Sequence, residues 1–395
     1  MESDQLAEEQ RKAEAGQRPE ESARTHRAKV WGGAPRKLWA ASMDGSVGAR
    51  LRELADWTAG TPYDDTPVDT YGDTVVEELE RRVAQELGFP AAAFFPTGTM
   101  AQQVALRCWA GRTGNPVVAL HPLAHPEVHE NRSFERVSGL RTTHPTTEPR
   151  LPTAEEVREH PEPFGALMLE LPLRDAGFVL PTWDELVDVV DAARERDAVV
   201  HFDGARLWDC PTHFGRPLPE IAGLADSVYV SFYKSLGGLS GAVLAGPEEL
   251  VEEARLWRHR YGGQVFQQYP AALSALRGLD TELPRLPSYV AHARVVAAAL
   301  REAFAEAGLG WYRVHPETPH THQFQVWLPY EPDALTAAAL SLTEDTGTVL
   351  FRRWFPGPAG APPGVAATEV TISAPGLEWT AEDVKEAARD FLGRL

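Results

Sequence analysis

Two residues of opposite charge, Asp203 and Lys234, each follow an apolar segment and could act together in catalysis. Asp203 follows Ala198–Phe202, and Lys234 follows Ser227–Tyr233. A buried amine is costly unless it is paired or neutralised, and a Schiff base with an aldehyde neutralises it. If both segments are strands of one open α/β sheet, the two groups lie at its C-terminal edge, where such sheets bind ligands. The alternatives are a lysine that reaches into solvent and an aspartate that only pairs with Arg206.

A phosphate could bind at a third segment, Pro96–Met100, which reads as a turn between a strand and a helix. Gly98 lets the backbone approach a ligand, Thr99 adds a hydroxyl group, and free N–H groups at a helix N-terminus attract anions. Alone, this motif is weak, because many strand-to-helix turns contain Gly and Thr. In this order with Asp203 and Lys234, it predicts pyridoxal-phosphate chemistry, with one site each for the phosphate, the ring nitrogen and the aldehyde carbon.

A metal site is the less favoured interpretation of His121, His125 and His129. These histidines recur every four residues, which is the spacing of metal ligands on a helix. Pro122 and Pro126 argue against a regular helix through the segment. The sequence therefore predicts no bound metal.

Alternating strands and helices would position these residues. Apolar runs predict strands, which are Ala92–Phe95, Pro116–Leu120, Ala166–Leu171, Ala198–Phe202, Ser227–Tyr233 and Gly241–Ala245. Thr74, Thr182 and Thr380 each precede an acidic residue by three positions, the capping-box pattern that starts a helix. Short apolar strands that alternate with helices indicate a mostly parallel, doubly wound α/β sheet.

Shifts in composition divide the chain into three parts. Residues 1–30 contain no Phe, Trp or Tyr and predict a flexible tail, with a transient charged helix as the alternative. Residues 31–284 are predicted to form the large, cofactor-binding domain. Residues 285–395 are predicted to form a smaller α+β C-terminal domain, because a long helical pattern at Ala291–Phe304 is followed by short strand patterns.

The composition argues against several functional classes. The 395 residues include 38 Lys and Arg and 57 Asp and Glu, so the formal net charge is −19. An acidic surface repels phosphate backbones, so we expect no nucleic-acid partner. The longest apolar runs, such as Gly165–Leu173, are too short to span a bilayer, and no secretory signal is visible, so we expect no membrane association. With two cysteines, too few for a disulfide framework, the sequence predicts a cytoplasmic enzyme that acts on small molecules.

Together these motifs resemble the threonine aldolase (β-eliminating lyase) family of fold-type-I pyridoxal-phosphate enzymes. The resemblance spans about residues 60–395, and the segments that carry it are Asp69–Asp73, Phe95–Leu106, Leu123–His125, Leu180–Pro181, His201–Trp208 and Asp226–Gly246. It implies an aspartate-aminotransferase-like (fold type I) large domain with a mostly parallel seven-stranded sheet, and a smaller α+β C-terminal domain. It also implies pyridoxal 5'-phosphate as the cofactor, and a homodimer or homotetramer with shared active sites.

The resemblance further implies roles for individual residues. In the family pattern, Gly98 and Thr99 would bind the phosphate, His125 would stack on the ring, and Asp203 would bind the ring nitrogen. Arg206 would lie beside the phenolic oxygen or the substrate, and Lys234 would form the Schiff base. The expected catalytic residues are Lys234, Asp203 and His125, and His129 or a bound water is another candidate base.

Four segments of the family pattern differ in this chain, and in one of them Glu170–Asp175 replaces a Glu-Asn-Thr-His-Asn stretch. The family's phosphate arginine is replaced in Gly262–Gln264, and the serine of its N-terminal segment has only Ser42 as a counterpart. The arginine that binds the substrate carboxylate is missing from Thr368–Ser373. Arginine suits bidentate carboxylate binding, and the candidates to replace it are Arg174, Arg352 and Arg353.

The implied reaction is retro-aldol cleavage of a β-hydroxy-α-amino acid to glycine and an aldehyde. The nearer alternative is β-elimination or transfer of the glycyl unit to another aldehyde in a biosynthetic pathway, and the farther one is a non-catalytic homologue. Trp57, Tyr63 and Tyr71 precede the first capped helix, in a segment that crosses to a neighbouring subunit in this family. We therefore expect Tyr71 near the partner's cofactor and substrate, and packing of these aromatics into the chain's own core is the alternative.

Overall fold

The computed structural model describes residues 21–39, 44–358 and 360–395, so residues 1–20 and Ser42 lie outside the described residues. Its α-helices are α1 (21–33), α2 (Val47–Thr58), α3 (Val75–Leu87), α4 (Gly98–Thr113), α5 (His125–His129), α6 (Ala154–Arg158), α7 (Trp183–Arg194), α8 (Pro211–Phe214), α9 (Leu218–Ala222), α10 (Glu248–Arg260), α11 (Tyr269–Thr281), α12 (Leu286–Glu306), α13 (Pro332–Thr346) and α14 (Ala381–Leu392). Its strands are β1 (Arg36–Lys37), β2 (Ala91–Phe95), β3 (Val117–Ala119), β4 (Arg141–Thr143), β5 (Ala166–Glu170), β6 (Val199–Gly204), β7 (Ser227–Ser231), β8 (Ala242–Gly246), β9 (Arg313–His315), β10 (Gln323–Leu328), β11 (Thr348–Val349), β12 (Phe355–Pro356) and β13 (Ala366–Thr371).

The larger sheet has seven strands in the order β2-β8-β7-β6-β5-β3-β4. Its neighbouring strands are parallel except for β8, which runs antiparallel to both β2 and β7. Strands β5, β7 and β8 are buried along their whole length, as expected for a sheet that is covered on both faces. The predicted seven-stranded, mostly parallel α/β architecture is confirmed.

Helices cover both faces of this sheet. On one face α4 packs on β6, β7 and β8, with α10 beside it. On the other face α3 packs on β2 and β8, and α7 packs on β6. Successive residues of β7 therefore enter different cores, with Val228 and Val230 on one side and Tyr229 on the other.

A second sheet, in the C-terminal third, is antiparallel with the order β12-β13-β10-β9. Helix α12 packs on β9, β10 and α14, which gives this region the α+β character that the sequence predicts. The division between residues 284 and 285 stays a prediction. The described part of the N-terminal segment is helical over 21–33, and the His26 ring lies 2.7 Å from the Glu344 carboxylate.

Two of the three predicted capping boxes are present. The Thr182 and Thr380 hydroxyls accept hydrogen bonds from the N–H groups three residues on, and both reciprocal carboxylate bonds form. The box predicted at Thr74 is wrong, although helix α3 begins at the next residue. Thr74 has φ 50°, outside the extended conformation of an N-cap, and its buried hydroxyl has no hydrogen-bond partner among the residues that the structure describes. Across the described ranges, no helix is long and apolar enough to cross a lipid bilayer.

Candidate active site

Four ionisable groups meet at the C-terminal edge of the large sheet, and we call them the edge cluster: Glu170, Asp203, Arg206 and Lys234. Glu170 is the last residue of β5, and the parallel register places Asp203 of β6 beside it. Arg206 follows β6, and Lys234 stands three residues after the end of β7. The cluster combines two carboxylates and two cations at the edge where open α/β sheets bind ligands.

The Lys234 amine is the candidate nucleophile of the edge cluster. The residue is half-buried, but its charged end points inward, and burial together with the Arg206 charge lowers its pKa from 10.5 to about 8. Asp203 and Glu170 oppose this shift, because carboxylates favour the charged amine. A lowered pKa leaves more of the amine uncharged near neutral pH, and the uncharged amine attacks carbonyl carbons. The structure therefore brings Asp203 and Lys234 together, while their roles stay predictions.

Both carboxylates of the edge cluster are buried, and the pKa of each is raised. Burial raises the pKa of Glu170 to about 7, and the charge of Asp203 adds to the shift. Glu170 accepts hydrogen bonds from the backbone N–H groups of His125 at 2.8 Å and Arg174 at 3.2 Å. Burial also raises the pKa of Asp203, and the Lys234 amine opposes that change.

Gly98 and Thr99 open helix α4 at the turn that the sequence predicts for phosphate binding. The Thr97 hydroxyl caps this helix and accepts a hydrogen bond from the Met100 N–H at 3.2 Å. A Cβ at position 98 would overlap the Tyr229 hydroxyl, so the close approach of β7 requires glycine there. The N–H groups of a first helical turn have no partner within the helix, which is the arrangement that binds anions.

His125 is oriented by a buried carboxylate. It begins helix α5, and its Nδ1 lies 3.1 Å from Glu130, whose side chain is 2% exposed. Although burial raises the pKa of Glu130, hydrogen bonds from His125, Ser133 and Thr99 lower it overall. The other two spaced histidines contact other groups, His129 the Asp175 carboxylate at 2.7 Å and His121 the Glu148 carbonyl oxygen at 2.6 Å.

The donor set of the edge cluster fits pyridoxal phosphate. The buried Nε of Arg206 has no hydrogen-bond partner within the described ranges, and an unpaired guanidinium donor suits an anionic oxygen. Lys234 would bond to the aldehyde carbon, Asp203 would pair with the ring nitrogen, and the turn at Gly98 would hold the phosphate. Such a group would supply the electron sink that amino-acid chemistry at Cα needs.

The three candidate substrate arginines differ in how far their charge is already paired. Arg174 lies 2.8 Å from Glu369, and Arg352 makes two bonds with Asp44 at 3.0 and 2.9 Å. Arg353 is exposed and makes no ion pair with a described residue. Arg352, Arg353 and Glu369 line a cavity of about 430 Å³. Of the three candidates, Arg353 is therefore the arginine whose charge is available to pair with a substrate carboxylate.

Tyr71 contacts the loop before α11 rather than the edge cluster of its own chain. Its N–H donates to the Phe266 carbonyl at 2.9 Å, its ring meets the Phe266 ring edge-on, and its carbonyl accepts from the Gln264 amide at 3.1 Å. Trp57 and Tyr63 contact each other and pack against the chain's own core. The Tyr71 side of this segment faces outward, with Tyr71 52% exposed.

Sequence reasoning missed four side chains around the edge cluster, which are Glu170, Glu130, Gln102 and His201. Glu170 carried a usable signal, because it ends an apolar run just as Asp203 follows one. Glu130 also carried one, since it follows His125 by five residues. Gln102 bridges His201 and Asp203 only because α4 packs on β6, which no local pattern reveals.

The fold and this site agree with the comparison to known protein families. The family model of the beta-eliminating lyases matches residues 52–311. The chain belongs to the β-eliminating lyase family. The family assignment and fold type I are thus confirmed as the sequence predicts them.

Named relatives of this β-eliminating lyase are similar over part of their length. The low-specificity L-threonine aldolase of Candida albicans is 29% identical over 235 residues, which cover 55% of this chain and 62% of that protein. The low specificity L-threonine aldolase of Escherichia coli (strain K12) is 29% identical over 245 residues, 60% of this chain and 73% of that protein. The match thus spans less than two thirds of the Candida relative.

Solved structures extend the similarity to nearly the whole chain. A Listeria monocytogenes EGD-E protein assigned as an L-allo-threonine aldolase has a TM-score of 0.82 and 32% identity, with 93% of this chain and 98% of that chain covered. A Sphingomonas wittichii serine palmitoyltransferase has a TM-score of 0.58 at 17% identity, with 89% and 84% covered, and supports the fold alone.

Proposed function

We propose that the protein is a pyridoxal-phosphate-dependent carbon–carbon lyase of the threonine aldolase type, which reversibly cleaves a β-hydroxy-α-amino acid to glycine and an aldehyde. The observation that carries this proposal is the Lys234 amine, with its pKa lowered to about 8, beside two buried carboxylates at the sheet edge. Relatives named as threonine aldolases support the reaction class.

The chain's own residues would hold the cofactor and move protons. Bound pyridoxal phosphate supplies the electron sink for the pair left at Cα when the Cα–Cβ bond breaks. Asp203 pairs with the ring nitrogen and keeps a proton there. His125, held by Glu130, accepts the proton of the substrate's β-hydroxyl group. Glu170 is the second candidate for this step, because a pKa of about 7 suits proton transfer near neutral pH.

Arg353 is the arginine that we propose for the substrate carboxylate. Arg174 and Arg352 already pair with carboxylates of the chain, whereas Arg353 does not. Arg353→Ala should raise KM for the amino acid about tenfold with a smaller change in kcat, because the contact acts in binding. The matched control is Arg313→Ala, which removes another exposed arginine that lies over an aromatic ring. Equal KM values in the two variants would contradict the assignment.

Product analysis tests the reaction itself. The holoenzyme is incubated with L-threonine and with β-hydroxy-α-amino acids of larger side chain, and Lys234→Ala is the control for reaction catalysed by free cofactor. Glycine and aldehyde in equal amounts are the expected products. A 2-oxo acid and ammonia would instead indicate β-elimination, and a new β-hydroxy-amino acid formed only with an added aldehyde would indicate transfer of the glycyl unit. No turnover with cofactor bound would indicate a non-catalytic homologue.

We also propose a homodimer or homotetramer in the cytoplasm. Tyr71 and Phe266 are 52% and 55% exposed, Val265 lies beside them, and exposed apolar patches of this kind mark interaction sites. Cys108 and Cys210 are both unpaired, which suits a reducing compartment. Light scattering of the active enzyme at micromolar concentration tests the assembly, and a stable, active monomer would refute a site shared between subunits.

A further inference from the structure

Five buried polar side chains form a continuous hydrogen-bonded chain, which we call the relay: Trp109, Ser227, His201, Gln102 and Asp203. Trp109 Nε1 donates to Ser227 Oγ at 2.8 Å, and Ser227 Oγ lies 2.8 Å from His201 Nδ1. His201 Nε2 lies 3.0 Å from Gln102 Oε1, and the Gln102 amide group donates to Asp203 Oδ2. All five residues are buried, so solvent does not replace a lost bond.

The relay has one consistent direction of hydrogen bonding. An indole N–H only donates, so Ser227 accepts from Trp109; since a neutral imidazole that donates from Nε2 to the Gln102 oxygen accepts at Nδ1, the Ser227 hydroxyl donates to His201 Nδ1. His201 is then protonated at Nε2 and donates to the Gln102 carbonyl oxygen. This leaves the Gln102 amide N–H for Asp203, and the N–H of Ala205 also donates to that carboxylate at 3.1 Å. Every donor of the relay therefore points toward Asp203, whose ionised carboxylate accepts from the Gln102 amide and the Ala205 N–H.

This direction requires a neutral His201 ring. Burial lowers the pKa of His201 to about 3, although a hydrogen bond to the Ser227 backbone opposes the shift, so the ring is neutral. The ionisable groups that act on Asp203 lie outside the relay, and they are Lys234, His125, Glu130, Glu170, Tyr229 and Tyr233. The relay thus reaches Asp203 as an uncharged, directional network, separate from the charged groups of the edge cluster.

We infer that Trp109, Ser227, His201 and Gln102 are positioning residues, which hold Asp203 ionised and orient its carboxylate toward the ring nitrogen of the cofactor. The inference rests on the proposed function only in the statement that Asp203 faces the ring nitrogen. The direction of the hydrogen bonds is a property of the chain alone. Loss of the Gln102 amide would raise the pKa of Asp203, because a buried carboxylate that loses a hydrogen-bond donor is more easily protonated.

A pair of neighbouring glutamines provides the test. Gln102→Met removes the amide at nearly constant size, and Gln103→Met is the matched control. Gln103 is the next residue of α4, is also buried, and accepts from Ser138 at 2.9 Å outside the relay. Two spectra are recorded: nitrogen NMR of the cofactor-free protein with labelled histidine, and nitrogen NMR of the holoenzyme loaded with pyridoxal phosphate labelled at the ring nitrogen.

In the cofactor-free wild type, His201 should carry its proton on Nε2 and should not titrate from about pH 5 to about pH 9. In the holoenzyme, the ring nitrogen should stay protonated over this range in the wild type and in Gln103→Met. In Gln102→Met it should lose its proton within the range, and kcat should fall about tenfold while KM changes little. If Gln102→Met does not fold, Gln102→Asn replaces it, because its amide is one methylene too short to bridge His201 and Asp203.

Two results would overturn the inference. One is a His201 ring protonated at Nδ1 in the cofactor-free protein, which reverses the relay. The other is a ring-nitrogen titration that is the same in the Gln102 and Gln103 variants. A protein that shows the expected spectra but no aldol cleavage would refute the proposed reaction and leave the relay in place.

Discussion

The rate at which the cofactor-free enzyme captures pyridoxal phosphate should report the environment of Lys234. Burial and the Arg206 charge lower the pKa of this amine from 10.5 to about 8. The uncharged, reactive fraction at pH 7 is then ~9%, against ~0.03% for an ordinary lysine, a difference of about 300-fold. Because the uncharged form grows with pH until the pKa is passed, the rate should rise about tenfold per pH unit and level off just above pH 8.

Two substitutions should move the pH at which the rate levels off in opposite directions. Arg206→Gln removes a cation that lowers the pKa of Lys234, so the plateau should begin at a higher pH. Asp203→Asn removes a carboxylate that raises this pKa, so the plateau should begin at a lower pH. The plateau rate itself also reflects how well each variant binds the cofactor, but the position of the break reports the amine.

Stopped-flow absorbance of the cofactor measures this profile from about pH 6 to about pH 10.5, which brackets both pKa values. N-acetyl-lysine amide is the control, because the cofactor's own ionisations are the same in both reactions and cancel in the ratio of rates. A wild-type profile that rises in parallel with the control to pH 10 would refute the lowered pKa. A break in Arg206→Gln at or below the wild-type position would refute the role of the Arg206 charge.

Asp203→Asn should keep the fold but lose about 99% of kcat, because a neutral amide does not hold the ring proton as a carboxylate does; near wild-type turnover at an unchanged melting temperature would argue against this role. Borohydride reduction of the holoenzyme and peptide mass mapping should place the cofactor label on Lys234. A label on another lysine would exclude Lys234 as the Schiff-base residue. Thr182→Ala should lower the free energy of unfolding by about 1 kcal/mol in a denaturant titration, because a capping box is lost, and Thr74→Ala, which removes no cap, should cost less.

The strand ends that carry Asp203 and Lys234 were predictable because buried parallel strands appear in sequence as continuous apolar runs. Each run then ends close to a polar residue, and parallel strands bring such residues to one edge. The position of β8 between β2 and β7 was not predictable in this way, since the run Ala242–Gly246 contains no information on its neighbours or its direction. The predicted cap at Thr74 failed for a related reason, because the pattern specifies residue types but not the backbone conformation.

Whether a contact within the site can be predicted from the sequence depends on how far apart its two residues are along the chain. Glu130 is five residues from His125, so local spacing could have suggested the pair. Gln102 meets Asp203 across 101 residues, and only the packing of α4 on β6 brings them together. The availability of Arg353 is likewise a property of the folded chain, because it depends on which carboxylates occupy the other arginines.

The charge balance of the edge cluster explains how one aspartate can serve the protein with and without its cofactor. In the cofactor-free enzyme, the charges of Asp203 and Glu170 favour the charged form of the inward-pointing Lys234 amine, and such compensation matters because an uncompensated buried charge is strongly destabilising. With pyridoxal phosphate bound, Lys234 would bond to the aldehyde carbon and Asp203 would pair with the protonated ring nitrogen. In the proposed function, Asp203 therefore changes partner but not charge. Glu170, with a pKa of about 7, could exchange a proton with the substrate near neutral pH.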